Sequence, residues 1–571
     1  MNNATDSPPR QSLPFWIGAI LIGVCAYAMT LAAGRQIEPL WDEPIDLAVA
    51  RALRADPLRG EHPPLDASQM RLPMYVTAAA FALSGRDDLG MARHVSAIAA
   101  GLTVLAAAGL GRCLFGPVAG LIAAAFLTLS PYFLAFARVA MTEGDIFYAL
   151  TTTLAIWAYA RFHIQRTRSR WFALGVAIGL AIGAKLFALV LWPVIALCEI
   201  SPMNRNDNAA RLPTSTRLRS LAGLVLVSCA TVVLLMPVHV LEPDIARAII
   251  RRILRWDDRV PLALWDDHLR LYAGVLLIKG TWPMGLLSVA ALLYAGVREA
   301  SDARWRAAIM TILFSIVAFC FLPLRQTFYL MGVYPLIAVL LGGFVCEISA
   351  RVVRQAPDGG QCGTAACGCV IPARAPGAQA SDTHARIEPS SRPRERARPM
   401  RALVIVWLLL VAAPFAWLAV ETHRAYPHYQ LYGHRLVGTR WLGAESRGYR
   451  NLIQTNSDGV QELVRWCRDH APACARVVSF PWEDHIIADE PRVRLTRRGV
   501  RLDQAAPPPS PTIDDADFVL LHINNVLGYG DLPPDTPPMD ALSREFEIVH
   551  RVIRDGMEVG WAFRRVRSAA P

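Results

Sequence analysis

Two short acidic stretches stand where the chain leaves long apolar runs. The first is "WDE" (41–43), with Asp42 and Glu43 just beyond the run 13–34. The second is "ARVAMTEGD" (137–145), with Glu143, Asp145 and the nearby Arg138. A carboxylate beside a reacting hydroxyl can accept its proton, which is general-base work. Cations placed in advance stabilise a departing anion, and Lys185 and Arg325 have the right type for it, with Arg138 a weaker third. Each has a plain alternative. An acidic pair keeps a loop hydrated, and a long basic side chain at a span end can simply reach for the interface. Charged groups recurring at membrane depth are nevertheless default candidates for function, because each costs about 2.5–3.5 kcal/mol on insertion scales.

The elements that must position these residues follow from composition. The chain has 571 residues, 54% hydrophobic and 18% charged, a formal net charge of +11 and a mean hydropathy of +0.31. Such a balance excludes an ordinary soluble enzyme. Expected spans are 13–34, 94–112, 117–136, 145–160, 171–184, 186–200, 220–240, 281–297, 307–323, 328–347 and 402–420. The first lacks a small-residue cleavage site and reads as a signal anchor. Lys and Arg in short loops stay cytoplasmic, which sets the parity through the arginines at 161–170, 205–219, 298–306 and 351–401. Under that parity the apolar stretch 72–85, only fourteen residues long, lies on the membrane without crossing, whereas 171–200 crosses twice by breaking at "GAK". The N-terminus is inside and the C-terminus outside. The basic loop 241–280 falls outside against its charge, as long loops do. Residues 35–93 become one large outer loop, so that Asp42, Glu43 and Glu143 are expected on one face.

The ordered set "WDE" (41–43), "EHPPL" (61–65), the run 92–143, "GLAIGAK" (179–185) and "RQTFYLMGVYPLIAVLLG" (325–342) resembles the GT-C glycosyltransferases. The resemblance is to bacterial relatives of protein O-mannosyltransferases and of the lipid A aminoarabinose transferase, and it resumes at "YPHYQLYGHRLVGTRWLG" (426–443). It implies a GT-C-like polytopic α-helical membrane protein of about eleven transmembrane helices with a C-terminal extracytoplasmic α/β domain, in the bacterial inner membrane. It also implies transfer, with inversion, of a sugar from a polyprenyl-phosphate-linked donor to a lipid, glycan or protein acceptor on the outer side. By the same resemblance Asp42 is the catalytic base, Glu43 and Glu143 are its acidic companions, and Lys185, Arg325, Arg138, Glu61, His62 and Tyr329 bind donor or phosphate. Some members hold a divalent metal, Mg or Mn, which here would fall to Asp42 and Glu143; others need none. His62 departs from the Lys that aminoarabinose-transferring relatives carry before Pro-Pro-Leu, so the resemblance does not name the sugar.

Domain boundaries follow from composition shifts. Residues 1–350 form the transmembrane catalytic module, 351–401 a Pro-, Gly- and Arg-rich disordered cytoplasmic linker, 402–421 the last span and 422–571 the outer domain. Cys362, Cys367 and Cys369 lack a fourth ligand for a metal site. In the outer domain a helix is expected at 457–470, strands at "ARVVSF" and "ADFVLLHIN", a hairpin around Asp555-Gly556, and Cys467 and Cys474 are candidates for a disulfide. Two other classes compete with the enzyme. A secondary transporter would carry internal repeats and charges near the bilayer midplane, and a non-enzymatic scaffold displaying the outer domain gives no reason for acids on two loops.

Overall fold

The computed structural model describes residues 13–37, 39, 43–58, 72–140, 145–200, 213–237, 265–279, 281–299, 302–320, 327–354, 394–427, 429, 459–480, 493–495, 513–523, 539–554 and 557–566. Its first unit is a helical bundle: α1 (Leu13–Gln36), α2 (Glu43–Ala55), α3 (Leu72–Ser84), α4 (Leu89–Phe115), α5 (Pro117–Thr128), α6 (Pro131–Ala137), α7 (Asp145–Ile164), α8 (Arg168–Ala184), α9 (Leu191–Ile200), α10 (Thr214–Leu235), α11 (Trp265–Gly274), α12 (Trp282–Glu299), α13 (Ala303–Cys320), α14 (Tyr334–Arg354) and α15 (Arg394–Ala425). Among the described residues four helices are long and apolar enough to cross a membrane, α1, α4, most of α10 and most of α14, and bent pairs raise this to six.

Local chemistry explains the breaks. Asp88 caps α4 by accepting from the Met91 amide at 2.8 Å, the usual task of an aspartate before a first helical turn. The expected single span 117–136 is instead two helices bent by 66°. Ser130 caps α6 and Pro131 opens it, and a proline ring suits a first turn but not a helix interior. The break expected at Lys185 is present: α8 ends there and a 3₁₀ turn, Leu186–Val190, leads into α9. α4 and α5 approach so closely that a side chain at Gly120 would strike the Ala108 carbonyl, the small-residue contact by which membrane helices pack.

Ion pairs and hydrogen bonds identify the two ends of the bundle. At one, Arg166 pairs with Glu199 at 2.8 Å, Arg217 donates to the Glu199 carbonyl, Arg298 pairs with Glu347 at 3.1 Å, and Arg306 with Glu299 at 3.3 Å. The opposite end collects the start of α7, the end of α8 and the junction of α1, α2 and α4. There α3 packs Met74, Ala78 and Phe81 with Leu47, Ala50 and Leu53 of α2, Ala92 of α4 and Ala140. Thirteen residues of helix span about 20 Å at 1.5 Å per residue, too little for a hydrocarbon core of about 30 Å.

A second 3₁₀ turn, Thr327–Gly332, lies against α7 with Gly332 flat on the buried ring of Tyr148. A methyl group there would overlap the ring. Gly332→Ala is therefore expected to lower stability by about 1–3 kcal/mol, the usual cost of overpacking, and to reduce the melting temperature of the detergent-purified protein. An unchanged melt would show that Tyr148 has room to move.

The second unit is a five-stranded sheet of order β2-β1-β3-β5-β4, with β1 (Val477–Phe480), β2 (Val493–Leu495), β3 (Phe518–His522), β4 (Phe546–Arg554) and β5 (Met557–Arg565). β1 runs parallel to β2 and β3, whereas β5 is antiparallel to β3 and β4. Helix α16 (Val460–His470) buries Val460, Leu463, Val464 and Cys467 in the core with Val477, Leu520 and Val559, and a short α17 (Met539–Glu545) precedes β4. The expected helix, the two strands and the hairpin are all present. The disulfide is not: Cys467 is a buried thiol inside the α16 face and Cys474 an exposed one. Cys362, Cys367 and Cys369 lie outside the described residues.

Candidate active site

Glu43 is the first residue of α2 and is wholly buried. A guanidinium fork from Arg93, near the start of α4, grips it: Nε donates to Oε1 at 2.9 Å and Nη2 to Oε2 at 2.5 Å. The remaining terminal nitrogen, Nη1, donates to the carbonyls of Gly34 at 2.5 Å and Ile37 at 2.9 Å. Those carbonyls belong to the end of α1, where a helix leaves acceptors without intrahelical partners and a cation is favoured. One arginine thus satisfies a helix end and a buried carboxylate together, which its planar five-donor geometry permits. The carboxylate also accepts from the backbone amide of Ala140 at 2.6 Å. Glu43 therefore ties the stretch carrying Asp42 to the stretch carrying Glu143.

The far end of that second stretch is held as well. Asp145 opens α7 and accepts from the Lys185 ammonium at 2.5 Å, both side chains being nearly buried. Lys185 stands over the Phe328 ring at 4.7 Å, with the Phe187 and Tyr329 rings each at 5.7 Å. Ring faces attract a cation, most strongly where water is excluded. Arg138 is fully buried. It donates to the Pro427 carbonyl at 2.5 Å and lies 6.0 Å from the Tyr429 ring, pinning the chain beyond α15 to the same loop. Below it, the Tyr132 hydroxyl donates to the Thr327 carbonyl at 2.6 Å, joining α6 to the turn that bears Tyr329.

Of the residues expected from the sequence, Glu43, Lys185, Arg138 and Tyr329 come together at one end of the bundle. Asp42, Glu61, His62, Glu143 and Arg325 lie outside the described residues. Glu43 has both carboxylate oxygens engaged by the protein's own donors, and Arg138 donates to a backbone carbonyl. Arg93 and Asp145 were not among the expected site residues. An arginine one position ahead of the expected span 94–112, and an aspartate opening the span at 145, were the available signals, since neither charge is stable there without a partner. No cluster of three His, Cys, Asp or Glu able to hold a metal is present among the described residues.

Residues 66–235 match the family described as dolichyl-phosphate-mannose-protein mannosyltransferase. Among solved structures the fold is similar to that of ArnT from Cupriavidus metallidurans bound to undecaprenyl phosphate. The TM-score is 0.51 at 14% identity, covering 96% of this chain and 98% of that one. It is also similar to the archaeal oligosaccharyltransferase AglB from Archaeoglobus fulgidus, in complex with an inhibitory peptide and a dolichol-phosphate. That match has a TM-score of 0.50 at 12% identity and covers 90% of this chain and 70% of that one. The chain shares its fold with these two proteins. No curated protein matches it. In this bundle the clamped end is where the second acidic stretch, Glu43, the break at Lys185 and the 327–332 turn converge.

Proposed function

We propose that the protein transfers a sugar from a polyprenyl-phosphate-linked donor to an acceptor hydroxyl on the extracytoplasmic side, with inversion at the anomeric carbon. The observation that carries this reading is the bond from the Ala140 amide to the buried Glu43 carboxylate, which joins the two acidic stretches at one end. Lipid phosphates in the ArnT and AglB structures support the donor class. In the proposed reaction Asp42 takes the acceptor proton and the acceptor oxygen attacks the anomeric carbon. The bond to the lipid phosphate then breaks, leaving a phosphate monoester that Lys185 and Arg325 neutralise. Glu61, His62 and Tyr329 contact the donor, and Glu143 orients the acceptor or, with Asp42, holds a divalent ion. Glu43, Arg93, Asp145 and Arg138 position the loops. Purified protein supplied with a polyprenyl-phosphate sugar should release or transfer that sugar; intact donor after prolonged incubation would remove the proposal.

Sidedness rests on the arginine-rich end facing the cytoplasm. On a cysteine-depleted background, Asp87→Cys should react with an impermeant thiol reagent added to intact cells and Arg168→Cys should not. The reverse pattern would put the clamped loops inside and end the extracytoplasmic reading.

A further inference from the structure

Arg138 and Pro427 stand 289 positions apart in the chain, yet the segment that leaves α15 toward the second unit is fastened to the segment that leaves α6. Three contacts hold it. In the last turn of α15 the buried Thr422 hydroxyl faces the Leu418 carbonyl at 2.7 Å and also the Leu129 carbonyl. Leu129 ends α5 at the 66° bend, where a helix leaves carbonyls without intrahelical partners. Just past α15 the Arg138 guanidinium donates to the Pro427 carbonyl, a place where a helix end favours a cation. The buried Tyr429 ring lies 6.0 Å from the same guanidinium and meets the Tyr426 ring edge to face.

The loop side of Arg138 is wedged as well. A Cβ at Gly34 would come within 2.9 Å of the Arg138 carbonyl oxygen, so the end of α1 stands directly against this backbone. Two residues on, the Ala140 amide donates to Glu43. Two residues of chain reach about 7 Å at most, so a displacement at Arg138 has little slack to absorb it before it meets the Glu43 clasp. We infer that the end of α15, with Tyr426, Pro427 and Tyr429, is a strut through which the second unit sets the position of the second acidic stretch. Arg138 and Tyr429 are then positioning residues for turnover. A load on the second unit is felt at residues 138–145. The effect on turnover rests on the proposed function, whereas the mechanical link does not.

The test uses the full chain in nanodiscs and follows hydrogen exchange of a peptide spanning 138–145, with a peptide from α4 (96–112) as control. Tyr429→Leu should speed exchange in 138–145 by about tenfold, the size of a lost buried cation–π contact, and leave the control unchanged. Tyr429→Phe keeps the ring and should match wild type. Adding Arg138→Met to Tyr429→Leu should change little beyond Arg138→Met alone, because both act through one contact. In transfer assays Tyr429→Leu should lower kcat by about tenfold or more at unchanged donor affinity, since small misplacements of reacting groups are costly. Exchange that stays at the wild-type rate in Tyr429→Leu, or that rises equally in the control peptide, overturns the strut. Selective exchange with a wild-type kcat overturns the positioning role. Selective exchange in a protein whose wild type transfers no sugar would keep the strut and remove the proposed function instead.

Discussion

Asp42→Asn protein is expected to transfer sugar about a hundredfold or more slowly than wild type while keeping its affinity for the donor, because general-base catalysis contributes about 10²–10⁴ in rate. The change preserves shape and removes only the proton acceptor. Glu43, the next residue, is already held by Arg93 and the Ala140 amide, so the backbone supporting position 42 does not depend on the Asp42 charge. Glu143→Gln should also slow turnover. A metal dependence of wild type that vanishes in this variant would assign Glu143 to an ion; turnover equally insensitive to metal in both would leave it an orienting role. A hydrated loop charge would behave differently, since surface substitutions usually change stability by less than about 0.5 kcal/mol. Folded Asp42→Asn protein that binds donor and turns over at the wild-type rate would end the assignment.

Arg93→Ala should be the most damaging single change to the fold at this end. It would strand a completely buried Glu43 carboxylate, and removing one partner of a buried pair costs about 3–5 kcal/mol. It would also release the Gly34 and Ile37 carbonyls at the end of α1. Loss of expression or a large drop in melting temperature is the predicted readout. Arg93→Gln combined with Glu43→Gln removes both charges and should recover part of the stability. If that double variant also recovers no turnover, the pair is needed to place the loops as well as to hold them. A melt of Arg93→Ala within a degree of wild type would mean that water or another cation reaches Glu43.

Much of this arrangement was legible in the chain because it rests on one-dimensional rules. Apolar length separates a spanning helix from α3, whose thirteen residues are too few to cross a bilayer. Serine and proline at 130–131 could have announced the bend that splits 117–136, but hydropathy averaged over the window concealed it. In the second unit, alternation and turn residues located the strands and the hairpin. The sheet order placing β5 between β3 and β4 came only with the fold, because strand pairing depends on contacts between distant residues. Cysteine spacing was misleading there, since Cys467 faces the core of α16 and Cys474 faces solvent.

By itself the sequence determined that the protein is a membrane-embedded helical chain with acids at two span ends and arginines at the opposite ones, because hydropathy and charge are properties of single residues. Partnership is not such a property. Only the tertiary structure decided that Glu43 is a clasp beneath Arg93, that Lys185 is matched to Asp145, and that Arg138 holds a backbone carbonyl. Burial makes each of these consequential. In a low-dielectric interior a charge must find its partner, and which residue supplies that partner depends on how helices far apart in the chain are packed together.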